Sequence, residues 1–146
     1  MTVQKTPVLA LDCAEPEGLA RFYAALLGGE VRPGPGPDEV EVAGPDGVTV
    51  ACRRDLGFAP PSWPRPEGSL QAHLRIRVAA ADLDEAEREA VSLGARPVAT
   101  GTEDGFRPVR LLSDPAGHSF ALMAADPPAE GRQDPSGSGR VSAPPE

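Results

Sequence analysis

Ala25-Leu26-Leu27-Gly28-Gly29-Glu30-Val31 returns sixty-six positions later as Val91-Ser92-Leu93-Gly94-Ala95-Arg96-Pro97-Val98. Downstream of each stretch, Pro45-Asp46-Gly47-Val48-Thr49-Val50-Ala51-Cys52 matches Pro115-Ala116-Gly117-His118-Ser119-Phe120-Ala121-Leu122 at an offset of seventy. Gly, Ala, Pro and Val are abundant enough to produce chance matches. These two, however, share nearly one offset, and each falls at the same place in its half. They predict a duplicated module of about seventy residues.

Working outward from the first stretch, Glu15 to Leu27 reads as a helix. Pro16 suits its first turn, Glu15 and Glu17 suit its positive N-terminal end, and Gly28 suits its C-cap. Leu19, Phe22, Tyr23, Leu26 and Leu27 fall on one helical face. Val8 to Cys13, short and apolar between Pro7 and Glu15-Pro16, reads as a buried strand. Short strands follow near Glu30–Arg32, Glu39–Val42 and Val48–Arg53, separated by turns at Pro33–Pro37 and Gly44–Gly47. The second half repeats the order. Leu70 to Val78 alternates like a strand, Asp82 caps a helix to about Leu93 closed by Gly94, and Arg96–Ala99, Val109–Ser113 and Ser119–Met123 complete the set. Each half therefore reads strand, helix, strand, strand, strand, an α+β chain of two tandem βαβββ modules. The predicted boundaries are 1–53 for the first module, 54–69 for a Pro- and Gly-rich inter-module loop containing Trp63, 70–125 for the second module, and 126–146 for a tail with little to bury, expected to be disordered.

The chain has 146 residues, enough for one domain or one pair of fused half-domains. It contains a single Lys, a single Ile and no Asn, the mark of a GC-rich genome, so each lone Arg or Pro is discounted. A formal net charge of −8 argues against nucleic acid as a partner. Cys13 and Cys52 form no C-x-x-C pair and no zinc spacing, and read as small apolar side chains. No apolar run approaches a membrane span, so no membrane partner is expected. No basic region followed by an apolar stretch opens the chain; no signal peptide is expected, and the cytoplasm is the expected compartment.

These residues resemble the vicinal oxygen chelate superfamily, which includes glyoxalase I, extradiol dioxygenases and bleomycin-resistance proteins. The resemblance rests on Glu15-Pro16-Glu17-Gly18-Leu19-Ala20-Arg21-Phe22-Tyr23 with Leu27-Gly28, then His73-Leu74-Arg75-Ile76-Arg77-Val78, Asp82-Leu83-Asp84-Glu85-Ala86, Leu93-Gly94-Ala95 and Asp114-Pro115-Ala116-Gly117-His118-Ser119-Phe120. The stretch Pro60-Pro61-Ser62-Trp63-Pro64, running on to His73-Leu74, is similar to a glyoxalase-like subgroup common in actinobacteria. The resemblance covers roughly residues 5 to 124. It implies two modules whose curved mixed sheets enclose a shared cavity, and, on analogy alone, a homodimer.

In the metal-dependent members each module supplies two ligands. The resemblance places the four positions at Val8, Ala51, His73 and Ala121. Of these only His73 carries a donor atom, and catalytic sites keep at least three protein ligands. A native divalent metal is therefore not expected, and no cofactor is. A shifted site of Asp12, His73 and Glu39 or Glu41 is the metal-dependent alternative. His118, the other histidine, has the strand parity of Phe120 and is expected on the core face.

Alternation assigns the faces. Leu70, Ala72, Leu74, Ile76 and Val78 pack on the helices, and Gln71, His73, Arg75 and Arg77 face the cavity. So do Val8, Ala10 and Asp12, then Thr49, Ala51 and Arg53, then Ser119, Ala121 and Met123. The pocket is apolar at three former ligand sites and basic along one wall. Candidate ligand contacts are Asp12, Arg53, Trp63, His73, Arg75, Arg77, Ala121 and Met123. Guanidiniums with a His can hold a carboxylate or phosphate; equally, Arg75 and Arg77 can pair with Asp12 or with Glu39 and Glu41. Trp63 can stack on a planar ligand or close the site as a lid, or plug the junction between modules. Members of the subgroup often carry an acidic residue where Arg75 stands, so their ligand need not transfer. There is no G-x-S-x-G, P-loop, H-E-x-x-H or dinucleotide fingerprint, and the prolines of Pro33-Gly34-Pro35-Gly36-Pro37 remove the N–H donors a phosphate cradle needs.

Three functional readings follow. The leading one is a metal-free glyoxalase-like protein that holds a small anionic or aromatic metabolite between the modules, for sequestration or resistance. The second is a lyase-, isomerase- or epimerase-type enzyme, with His73 as catalytic acid/base and Arg75 and Arg77 stabilising an enolate or carboxylate. The third is a partner surface with no ligand.

Overall fold

The computed structural model describes residues 3–45, 47–59, 72–103 and 107–125. The expectations for Trp63, Leu70, Gln71, the loop beyond Ala59 and the tail 126–146 lie outside the described residues. The first module runs β1 (Leu9–Cys13), α1 (Pro16–Leu27), β2 (Glu30–Pro33), β3 (Glu39–Ala43) and β4 (Thr49–Arg54). The second runs β5 (Leu74–Val78), a short 3₁₀ turn (Ala80–Asp82), α2 (Leu83–Leu93), β6 (Arg96–Glu103), β7 (Arg107–Ser113) and β8 (Ser119–Ala124). Each forms a four-stranded mixed sheet, in the orders β1-β4-β3-β2 and β5-β8-β7-β6, with the first and last strands of the module parallel. The α+β architecture of two βαβββ modules is the expected one. The two sheets remain separate and do not close on each other.

The duplication persists in the backbone. Gly28 and Gly94 end their helices at φ 70° and 123°, and Gly47 and Gly117 close the turns before the last strands at φ 85° and 97°. These are the glycines of the two repeated stretches, and they stand where an L side chain would be strained. The turns also share their hydrogen bonds. Gly44 N–H donates to Val48 O and Gly47 N–H to Gly44 O; seventy positions on, Asp114 N–H donates to His118 O and Gly117 N–H to Asp114 O. At Gly29 the reason for glycine is steric, because a Cβ there would lie 2.4 Å from the Ala43 carbonyl oxygen.

Some boundaries differ from the expected ones. β5 begins at Leu74 rather than Leu70. Its ladder partner β8 starts only after the Asp114–Gly117 turn, with Leu74 opposite Phe120, so Ala72 and His73 precede the strand. β6 extends to Glu103, because β7 begins at Arg107 and pairs back along it, past an irregularity between Pro97 and Ala99. Pro97 is tolerated because β6 is an edge strand. Asp82 occupies the N-cap of α2 but makes no side-chain cap bond; Asp84 and Glu85 supply negative charge to that helix end instead.

The two modules share one core. Leu19, Phe22 and Tyr23 of α1 meet Leu83 and Ala90 of α2, Val42, Val50 and Cys52 of the first sheet, and Leu112, Phe120 and Leu122 of the second. The Phe22, Tyr23 and Phe120 rings meet edge to face, at centroid separations from 4.9 to 6.2 Å. Cys13 and Cys52 are buried free thiols in this core. Burial raises both pKa values, that of Cys52 to about 12, which leaves them apolar and unreactive, as the sequence reading had them. Over the second sheet, Arg110 of β7 reaches back to α2, donating to Asp84 at 2.9 Å and to Glu87.

A buried polar contact joins the modules. The Tyr23 hydroxyl donates to Asp114 Oδ2 at 2.6 Å, and Asp114 Oδ1 accepts the N–H groups of Ala116 and His118 at 2.9 and 3.0 Å. Asp114 is 1% exposed and Tyr23 likewise. Its carboxylate thus exchanges water for three donors, the condition under which a buried charge is tolerated.

Tyr23→Phe should therefore cost about 1.5–3 kcal/mol and lower the melting temperature by several degrees, because it leaves a buried carboxylate oxygen unpaired. Burial first, then the charge and hydrogen bond of Asp114, push the Tyr23 pKa upward. The neutral tyrosine's contribution is complete below the unfolded value near ~10 and is lost as pH rises above it. Tyr23 is the chain's one tyrosine, so phenolate absorbance in an alkaline titration should appear only together with unfolding. A phenolate signal that precedes the loss of circular dichroism would contradict the contact. Gly29→Ala should destabilise by about 1–3 kcal/mol through its clash with the Ala43 carbonyl. Gly36→Ala, with no atom within 4 Å of the added Cβ, should be near neutral when the two variants are compared by denaturant unfolding.

Candidate functional site

Ladder partners share a face of their sheet. Leu9, Leu11, Val50, Cys52, Val40 and Val42 lie on the helix-packed face. The register therefore sets Ala10, Asp12, Ala51, Arg53, Glu39 and Glu41 together on the other face of the first sheet. On the second sheet, Leu74, Ile76, Phe120 and Leu122 pack inward, while Arg75 lies beside Ala121 and Arg77 beside Met123. The expected alternation holds for Ala10, Asp12, Ala51 and Arg53 on the first sheet and for Leu74, Arg75, Ile76, Arg77, Phe120, Ala121 and Met123 on the second. Ala51, Ala121 and Met123 are at most 2% exposed, whereas Arg53, Arg75 and Arg77 are exposed.

The charges on the first sheet pair locally. Arg53 binds Asp12 through both Nε and Nη2 at 2.9 Å from Oδ1, and Arg32 lies 3.5 Å from Glu41. Strand register explains these partners: Asp12 faces Arg53 across the parallel ladder and Glu41 faces Arg32 across the antiparallel one. Asp12 and Glu41, offered in the sequence reading as partners for Arg75 and Arg77, are thus taken up within their own sheet. Asp12–Arg53 is about half exposed and contributes little to stability. Its value is to hold a carboxylate and a guanidinium in fixed positions at the rim of the face.

His73 and Asp12 line one cleft of about 330 Å³, between the β1 edge and the start of β5 and β8. His118 lines it too. The parity argument put His118 on the core face. Its ring instead crosses the seam, with Nε2 2.6 Å from the Asp12 carbonyl oxygen and the ring 5.6 Å from Phe58. His118 precedes β8, so strand alternation does not bind it. With Nε2 as donor, it satisfies a carbonyl on the exposed edge of β1. The unpaired backbone of an edge strand and a histidine just ahead of the facing strand were the only sequence signals for this contact. The cleft contains both histidines of the chain.

The donor set does not fit a resident divalent ion at the family's positions. Ala51 and Ala121 are two-fold equivalents, seventy residues apart, and neither has a donor atom; Val8 has none either. Among the described residues no three His, Cys, Asp or Glu side chains converge as a metal site, including the alternative of Asp12, His73 and Glu39 or Glu41. Among the same residues no helix is long and apolar enough to cross a membrane.

A family model for a glyoxalase-like domain matches residues 8–123. The oxidase ChaP-H2 is 25% identical at a TM-score of 0.60, over 86% of this chain and 96% of that one. A hypothetical protein from S. aureus is 18% identical at a TM-score of 0.64, over 86% and 96%. A variant of the fosfomycin resistance protein FosX from Listeria monocytogenes, complexed with Mn(II) and a dihydroxypropylphosphonic acid, is 15% identical at a TM-score of 0.64, over 88% and 94%. A search of curated proteins gave no match. The two likenesses below 25% identity establish the fold alone. The family model spans both modules from β1 to β8, and the chain belongs to the glyoxalase-like domain family.

Proposed function

We propose that this glyoxalase-like protein binds a small anionic or aromatic metabolite at the sheet faces between its modules, and does so without a divalent metal. The observation that carries the reading is that two of the four expected ligand positions are the buried alanines Ala51 and Ala121, which have no donor atom. A metal-dependent relative polarises a substrate oxygen with its ion. Here the same floor is apolar, and the charge beside it is the guanidinium row of Arg75 and Arg77, laddered against Ala121 and Met123. An apolar floor with a few cationic groups at its edge is the pattern of a pocket for a flat or apolar anion. Arg53, fixed by Asp12, supplies a further guanidinium on the facing module. Sequestration or resistance is the cellular role that suits such a site, in the cytoplasm and as a homodimer.

A second reading, a lyase- or isomerase-type enzyme, draws on the cleft that holds His73 and His118 beside Asp12. His73 is exposed and stands at the cleft wall, where an imidazole can take or return a proton. His118, already bonded to the Asp12 carbonyl, would position the seam rather than carry the proton.

Tag-free protein incubated with Mn, Fe, Ni or Zn and then dialysed should retain less than about a tenth of an equivalent of metal by mass spectrometry. One equivalent retained would overturn the metal-free reading. In a calorimetric screen of aromatic carboxylates, Arg75→Ala and Arg77→Ala should each weaken binding of a hit by about tenfold, the effect of losing one charge-assisted hydrogen bond. Unchanged affinity in both would remove the guanidinium row from the site. If a substrate is identified and His73→Ala keeps full turnover, the enzymatic reading fails.

A further inference from the structure

A second and larger hollow, of about 730 Å³, lies between the first turns of α1, the end of α2 and the turn before β8. It is on the helix side of the sheets, away from the face discussed above. Leu19 and Phe22 from the first module, Phe58 just after β4, and Leu93 and Pro115 from the second module form its apolar walls. Its size is that of a small-molecule site, and it sits at a module junction, where such sites concentrate.

Gly18 gives this hollow a reason to exist. It lies inside the first turn of α1, where glycine disfavours the helix relative to alanine. Neither backbone nor packing calls for it. Its φ is not among the positive ones, and an added Cβ would meet only the Arg21 guanidinium, at 3.9 Å. The space a side chain would take opens instead into the hollow. The duplicated module offers an internal comparison. Sixty-six positions on from Gly18, Leu19 and Phe22 stand Asp84, Glu85 and Arg88. Those residues form solvated ion pairs, Glu85 with Arg88 at 2.8 Å and Asp84 with Arg110 at 2.9 Å. One copy of the helix start is polar and solvated; the other is apolar, with a missing side chain.

We propose that this hollow is a binding site for a flat, uncharged aromatic molecule. The Arg21 and Glu15 side chains that border it carry opposite charges and cancel, so neither an anion nor a cation is favoured, while the half-buried Phe58 ring offers stacking and edge contacts. The site is independent of the metabolite site proposed on the sheet faces.

The test is a fluorescence titration with the neutral probe N-phenylnaphthylamine on the full chain. The expected result is saturable one-to-one enhancement, weakened at least about tenfold by Gly18→Leu, which fills the hollow, and unchanged by Arg77→Ala on the sheet face. Ala14→Phe, at an exposed position bordering the hollow, gives the same loss without burying a new side chain in the core, and it decides the matter if Gly18→Leu does not fold. Absence of saturable enhancement, equal affinity in Ala14→Phe, or loss of binding in Arg77→Ala would each overturn the proposal.

Discussion

The carboxylate of Asp114 is the constraint on which the rest of this structure depends. It is buried at the end of β7, where it orders the turn into β8 by accepting the Ala116 and His118 amides and holds the other module through the Tyr23 hydroxyl. A buried charge with three donors is stable; with one removed it is costly. The turn, the α1 helix and the two-module core are thereby made interdependent. The first module shows what the contact adds. Its equivalent turn, closed by the same two backbone hydrogen bonds, has Gly44 where the second has Asp114. The backbone repeat makes the turn; the carboxylate turns it into a fastening between halves.

The asymmetry extends outward from that point. His118, equivalent to Val48, reaches the β1 carbonyl across the gap between the sheets. Arg110, equivalent to Val40, ties α2 to its sheet through Asp84 and Glu87, whereas α1 is held by aromatic packing. A duplicated fold starts with two copies of each position. Here one copy of several positions has become polar and bridging while the other stayed small or apolar. The sheet faces show the reverse pattern: Ala51 and Ala121 are matched, so both modules lack the donor at the same place.

The ladder geometry also sets which residues neighbour the charges on each sheet. Cross-strand neighbours are close enough to pair, and on the first sheet opposite signs face each other, Asp12 with Arg53 and Glu41 with Arg32. On the second sheet Arg75 and Arg77 have Ala121 and Met123 as ladder neighbours. The basic wall therefore belongs to the second module, and the first contributes a charge pair that is already internally neutral.

The sequence by itself determined the element order, the duplication and the faces. Periodicity, helix-capping glycines and the Gly-ended turns are local signals, and the left-handed φ at Gly28, Gly47, Gly94 and Gly117 shows that the local chemistry was read correctly. Alternation likewise separates Leu74, Ile76, Phe120 and Leu122 from Arg75, Arg77, Ala121 and Met123. Only the tertiary structure decided that Asp114 meets Tyr23, ninety-one residues away, that His118 leaves the core face for the Asp12 carbonyl, and that β5 starts at Leu74. Each of these depends on where the second module sits against the first or on where a partner strand begins. Such placements arise from burial and hydrogen-bond satisfaction summed over the whole chain, and no window of local sequence contains them.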